Sequence, residues 1–226
     1  LTGEEGEITM GNPDFLYFLY KLGMRMMTLT WNYENSLGFP NVRLDKKTSA
    51  SSDRYCLSQN KGLKEQGIVF LEKMERLGMI IDVSHLSDAG FYDVLEHTTK
   101  PFVASHSNAR SVCPAVRNLT DDMVRRLAER GGITGINFCK EFLGKPDASQ
   151  NYLDQAVVHM KYLMNLGGED FVALGSDFDG ITRYHDLSDC SVMPKLVHTM
   201  KKAGLTPTQI EKICYKNTLR VYRELL

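Results

Sequence analysis

The chain has 226 residues, 42% hydrophobic and 24% charged, with a formal net charge of -1 at pH 7. This is an ordinary globular composition, enough for one large domain. Near-neutral charge removes the electrostatic case for nucleic acid or an anionic membrane surface, and no run of 18 apolar residues offers a bilayer span. The acidic opening LTGEEGE has no signal-peptide pattern. The cysteines Cys56, Cys113, Cys139, Cys190 and Cys214 are odd in number and scattered, with no Cys-x-x-Cys. They read as reduced thiols of a cytoplasmic protein, not as a disulfide frame or a zinc knuckle.

In chain order, LTGEEG (1–6) reads as a strand end running into a tight turn, with Glu4 and Glu5 at its tip. Each carboxylate is either solvated or functional. Asn12 and Pro13 then open a helix whose apolar face is Phe15, Leu16, Phe18, Leu19 and Leu22, and Gly23 ends it. Met24–Thr30 reads as a strand. A long polar connection from Trp31 to about Asn60 follows, of the kind that is functional or disordered in compact domains. Trp31 is either a core or loop anchor or part of a pocket wall. A helix from about Leu63 to Leu77 stops at Gly78.

Residues 79–106 carry the clearest signal. Met79–Val83 and Pro101–Ala104 are short apolar runs rich in β-branched residues, ending at His85 and His106. Between them Ser87 caps a helix of about ten residues with Phe91, Val94 and Leu95 on its inner face. A strand–helix–strand unit of this size makes the strands parallel neighbours, with both histidines just past their carboxyl ends. Ligands and metals bind at that edge of parallel sheets, so two imidazoles delivered there point to a metal.

Beyond His106, Arg110 and Arg117 lie on a loop at the same edge. They are either solvated or placed to hold a carboxylate bidentately. Thr120 caps the next helix, with Asp121 and Asp122 well placed against its dipole, and Gly131–Gly132 end it. Ile133–Cys139 reads as a strand, Lys140–Ala148 as a loop, and Ser149 as the cap of a helix to about Leu166 that holds a structural His159. FVALGS (171–176) is a last strand running into Asp177-Phe178-Asp179-Gly180. Asp–Gly favours a turn role for Asp179, which leaves Asp177 as base, metal ligand or Asx turn. His185 reads as solvated, Asp189 as the cap of a helix to about Ala203, and Thr206–Gln209 as a capping box opening the closing helix.

Strands thus end near Glu5, Thr30, His85, His106, Phe138 and Asp177, with helices between them. The expected fold class is α/β, a (β/α)8 barrel in one domain over residues 1–226, with a doubly wound sheet as the alternative. Six of eight βα units are counted, so the simplest account is that two leading units are missing from this sequence.

Several stretches also resemble the membrane dipeptidase (renal dipeptidase) family of zinc peptidases. They are GEEG (3–6), LGMRMMTLTWN (22–32), RLGMIIDVSH (76–85), FVASHSNARSVCPAVRNLTDDM (102–123), INF (136–138) and GSDFDG (175–180). The resemblance implies a (β/α)8 barrel that hydrolyses dipeptides, some with a D-residue on the carboxyl side, by a zinc-bound hydroxide. It implies that Glu5 bridges two zinc ions and that His85 and His106 ligate the second. It implies further that Arg117 holds the substrate carboxylate and that Asp177 is the general base or proton shuttle. Two departures stand out. No histidine is followed two residues later by Asp, so the family's opening His-x-Asp has no counterpart. Trp31 stands where mammalian members carry a substrate-contacting histidine, which implies a bacterial-type member. Glu5, His85 and His106 suffice for one zinc site. The alternatives are an N-acyl amino acid amidohydrolase in the same barrel and a truncated, non-catalytic relative. Unpaired sheet edges favour association, with a homodimer as one outcome.

Overall fold

Short parallel strands alternate with helices in the computed structural model, which describes residues 1–41, 61–182, 184 and 186–226. Residues 42–60 of the polar connection after Trp31, which include Cys56, and His185 lie outside the described residues. The chain groups into two compact units, Leu1–Ala104 with Tyr222–Leu226, and Ser105–Val221.

The first unit holds strands β1 (Thr2–Gly3), β2 (Met26–Thr28), β3 (Ile80–Asp82) and β4 (Val103–Ala104). They pair in sequence order, all parallel, with Thr2 beside Met26, Thr28 beside Asp82 and Asp82 beside Val103. Helices α1 (Pro13–Lys21), α2 (Glu65–Leu77) and α3 (Asp88–His97) connect them. Local chemistry explains their ends. The Asn12 side chain accepts the Asp14 N–H ahead of Pro13, and Ser87 Oγ accepts the Gly90 N–H at 3.0 Å. Gly78 turns left-handed (φ 72°) to cap α2, a conformation that suits glycine. Met27, Leu29, Phe70, Leu71, Met74, Phe91 and Phe102 are buried. Each such side chain contributes about 1.5–3 kcal/mol of burial. The expected inner face of α1 is corrected here. Only Leu16 is buried, while Phe15, Phe18 and Leu22 are 40%, 56% and 59% exposed. Helix α1 packs on α2, and Leu16 is its one fully buried side chain.

The second unit holds β5 (Ile133–Ile136) and β6 (Val172–Leu174), parallel, with Thr134 beside Val172 and Ile136 beside Leu174. Its helices are α4 (Asp121–Glu129), α5 (Lys140–Leu143), α6 (Tyr152–Gly167), α7 (Met193–Lys202) and α8 (Pro207–Glu211), and α9 (Asn217–Leu225) ends the chain. A π-helical turn at Lys212–Lys216 joins α8 to α9. The expected start of α6 shifts. Asn151 is the cap, accepting from Leu153 and Asp154 N–H, while Asp154 Oδ2 takes the Asn151 N–H at 3.0 Å. That reciprocal pair satisfies donors which Ser149, two residues earlier, does not reach. The expected loop after Cys139 begins as the short helix α5. Asp189 caps a 3₁₀ turn, Cys190–Val192, that leads into α7.

Candidate active site

In the first unit the turn after β3 is built around Asp82, which is fully buried. Its carboxylate accepts from Thr28 Oγ at 2.6 Å and from the Ser84 N–H at 3.0 Å. The chain then bends so sharply that His85 adopts φ 69°, a left-handed value that ordinary residues avoid at roughly 1–2 kcal/mol. The Asn41 N–H donates to His85 O at 3.1 Å and helps to hold it. The imidazole is buried, with Nδ1 3.0 Å from Asn32 Oδ1. An amide oxygen accepts, so Nδ1 carries a proton towards Asn32 and the ring turns Nε2 the other way. Nε2 faces Glu4 Oε1 at 3.3 Å.

A lone pair and a carboxylate at that distance need positive charge, either a proton on Nε2 or a cation shared by both. Two ligands of a tetrahedral zinc-type ion at about 2.0–2.1 Å lie about 3.3–3.4 Å apart, so the pair fits one edge of a metal site.

Glu5 points elsewhere. Its Oε1 accepts from Asn35 Nδ2 at 2.6 Å and from the Glu7 N–H at 3.1 Å, and its Oε2 accepts from the Trp31 N–H at 3.1 Å. Glu5 thereby caps the 3₁₀ turn Gly6–Thr9 and ties it to the segment after β2. Trp31 is 39% exposed, its ring 6.4 Å from that of His85 and 5.7 Å from the exposed Tyr33. It is a wall beside the histidine and not part of the core.

In the second unit His106 is buried, with Nδ1 2.7 Å from Ser105 Oγ. Each strand-end histidine therefore has Nδ1 engaged by a neighbouring side chain, the kind of contact that orients metal-ligating imidazoles. The loop that follows is braced from several sides. The Ser107 N–H donates to Gly135 O at 2.9 Å, and Thr134 Oγ donates to Ser107 O at 2.7 Å. Asn118 Nδ2 donates to Cys113 O and Phe142 O. Gly135 and Gly175 permit this approach, since a Cβ at either would lie 2.1 or 1.9 Å from Ser105 O.

Arg110 straps its own loop, Nε to Asn118 O at 2.8 Å and Nη2 to Val116 O at 2.9 Å. Arg117 is buried, its guanidinium 5.5 Å from the Phe142 ring centre. His159 serves the fold. Nδ1 accepts the Ala109 N–H at 3.1 Å and Nε2 donates to Leu143 O at 2.9 Å, while burial lowers its pKa to about 4. Burial, assisted by Glu141, pushes the Cys139 thiol up to about 12, which removes it as a thiolate at neutral pH.

Asp177 follows β6 and is left-handed, φ 60°. Its Oδ2 accepts from Asn137 Nδ2 at 3.0 Å, and Oδ1 lies so close over Gly180 that a Cβ there would be 2.2 Å away. Asn32, Ser105 and Asn137 carry no individual signal of a site role in the sequence comparable to a strand-end histidine. A weaker signal existed for Asn137. It stands directly after an apolar strand, as Asp177 stands just past the strand run FVALGS. Among the described residues no helix is long and apolar enough to cross a membrane.

The family model "Membrane dipeptidase (Peptidase family M19)" matches residues 1–225. A Klebsiella pneumoniae protein named for its place in the pqqA 5′ region is 38% identical over 93% of this chain and 75% of its own length. An uncharacterized dipeptidase of Schizosaccharomyces pombe, C965.12, is 36% identical over 91% of this chain, which spans 47% of that protein. Among solved structures, a metallo peptidase from Rhodobacter sphaeroides is liganded with a phosphinate mimic of the dipeptide L-Ala-D-Ala. It superposes with a TM-score of 0.87 at 30% identity, covering 100% of this chain and 62% of its own. The expected α/β class of barrel type is therefore the fold of this chain. The chain belongs to the membrane dipeptidase family, peptidase family M19.

Proposed function

We propose that the protein containing this chain is a zinc-dependent dipeptidase, with dipeptides carrying a D-residue at the carboxyl side among its substrates. The observation that carries this reading is the His85–Glu4 pair: Nδ1 tied to Asn32, and Nε2 facing a carboxylate at 3.3 Å. The mimic held by the Rhodobacter sphaeroides relative supports the substrate class.

In this reading His85 and His106 offer Nε2 to zinc, and the Glu4–Glu5 turn supplies carboxylate. The family pattern favours Glu5, and the contact with His85 favours Glu4, which we take as the ligand in this chain because three N–H donors already engage Glu5. Zinc, when bound, supplies Lewis-acid polarisation of the scissile carbonyl and activation of water. The protein's own groups do the rest. Arg117 binds the free carboxylate, which selects dipeptides over longer chains. The Asp177 carboxylate takes a proton from the attacking water and delivers it to the leaving amine. Trp31 shields one side of the reacting group.

Trp31 is the only tryptophan in the chain, and its ring is 6.4 Å from His85, so its fluorescence reports on that site. Titration with Zn²⁺ or a quenching divalent ion will change Trp31 emission, and His85→Ala will abolish the change. The same sample will release amino acids from D- and L-dipeptides but not from N-acyl amino acids. Retention of no metal, or release from N-acyl amino acids alone, would overturn the reading.

A further inference from the structure

We infer that Asn137 is a positioning residue whose side-chain amide aims the Asp177 carboxylate. The inference rests on the proton-transfer role given to Asp177 above.

The orientation of the Asn137 amide is set by its surroundings. The Cys139 N–H donates to Oδ1 at 2.7 Å, so that atom is the oxygen and the other is the nitrogen. Nδ2 then has two protons to place. One goes to Asp177 Oδ2 at 3.0 Å and the other to His106 O at 3.4 Å. The Asn137 backbone is held as well. Its N–H donates to Asn108 Oδ1 at 2.9 Å, and its carbonyl accepts from Asn108 Nδ2 at 2.9 Å. The whole residue is buried. A fully satisfied buried amide of this kind is rigid, because any rotation would strand a polar atom away from water.

Asp177 needs such a partner. It is a non-glycine residue at φ 60°, and its backbone is otherwise secured by a turn in which the Gly180 N–H donates to Asp177 O at 3.0 Å. Oδ1 lies over Gly180, where the absence of a Cβ leaves it room, and Oδ2 is held by Asn137. Asn137 is thus the side chain that orients the carboxylate, and it also holds the backbone of His106. One amide thus ties the proposed proton carrier to the proposed ligand histidine. Asn suits the position by its charge: an amide donates where an Asp carboxylate would face Oδ2 with a second negative oxygen.

The test combines a spectrum with a kinetic cycle on the whole chain. The ¹⁵N side-chain amide resonance of Asn137 is assigned by its loss in Asn137→Ala and then followed in Asp177→Ala. We expect it to move. With dipeptide substrate, Asn137→Ala is expected to lower kcat about 10–100-fold with KM within about twofold, the size usual for outer partners of a site. In the Asp177→Ala background the same change should cost nothing further, because the two residues act as one unit. An unmoved resonance, a matching rise in KM, or losses that multiply would overturn the inference. Absence of turnover in the unaltered chain would fail the dipeptidase reading itself. The amide resonance then decides this inference alone, movement supporting it and constancy overturning it.

Discussion

His85 Nε2 and Glu4 Oε1 stand 3.3 Å apart although the Nδ1 proton of that imidazole is already given to Asn32. The contact is between two acceptors unless a positive charge joins them. Glu4→Gln removes the anion and keeps the shape. We expect its metal affinity, read from Trp31 fluorescence, to fall about 10–100-fold. Glu5→Gln should act differently, since Glu5 anchors Trp31 and Asn35. Its loss should appear first as a lower melting temperature.

Asn32 orients the histidine without touching its ligating atom. Asn32→Leu removes the amide oxygen that accepts from Nδ1 and weakens the hold on the ring. Metal affinity should drop by about 10–100-fold with little change in global stability. Competition with a chromophoric chelator measures the first, and urea unfolding the second.

Acid should weaken the second unit through His159. Its pKa is lowered by burial from 6.5 to about 4, so the unfolded chain takes up a proton on this group at higher pH than the folded one. Stability is complete above pH 6.5 and falls as the pH drops towards 4. The full loss is about 3 kcal/mol below that point. Urea midpoints between pH 7 and 4.5 should decline less steeply in His159→Leu than in the unaltered chain. Equal slopes would show that the Ala109–His159–Leu143 bridge does not carry this dependence.

Two glycines separate stability from activity. Gly135→Ala forces a methyl group to within 2.1 Å of Ser105 O and should destabilise the chain by about 1–3 kcal/mol or more, seen in thermal unfolding. Gly180→Ala meets only Asp177, with Oδ1 nearest at 2.2 Å, on an exposed turn. It should leave the melting temperature nearly unchanged and lower kcat.

Much was legible because it is local. Ser87, Thr120 and Thr206 announce their helices through a side-chain oxygen and an N–H three residues on. Apolar runs of β-branched residues mark β3 and β4, and the histidines that close them stand within three residues of the strand ends. Ser149 misled because Asn151 and Asp154 form a reciprocal pair that outcompetes a lone hydroxyl. Phe15 and Phe18 misled because helical periodicity reports an apolar face and not what covers it.

By itself, then, the sequence determined the order of strands and helices, their caps, and which polar residues stand just past strand ends. Those features depend on interactions spanning only a few positions. Tertiary structure alone decided which atoms of those residues meet. Trp31 engages Glu5 from 26 positions away, Asn32 engages His85 from 53, and Asn137 engages Asp177 from 40. Adjacent carboxylates such as Glu4 and Glu5 look alike along the chain. They part only when distant donors, the Trp31 N–H and the Asn35 side-chain amide, take one of them and leave the other beside an imidazole.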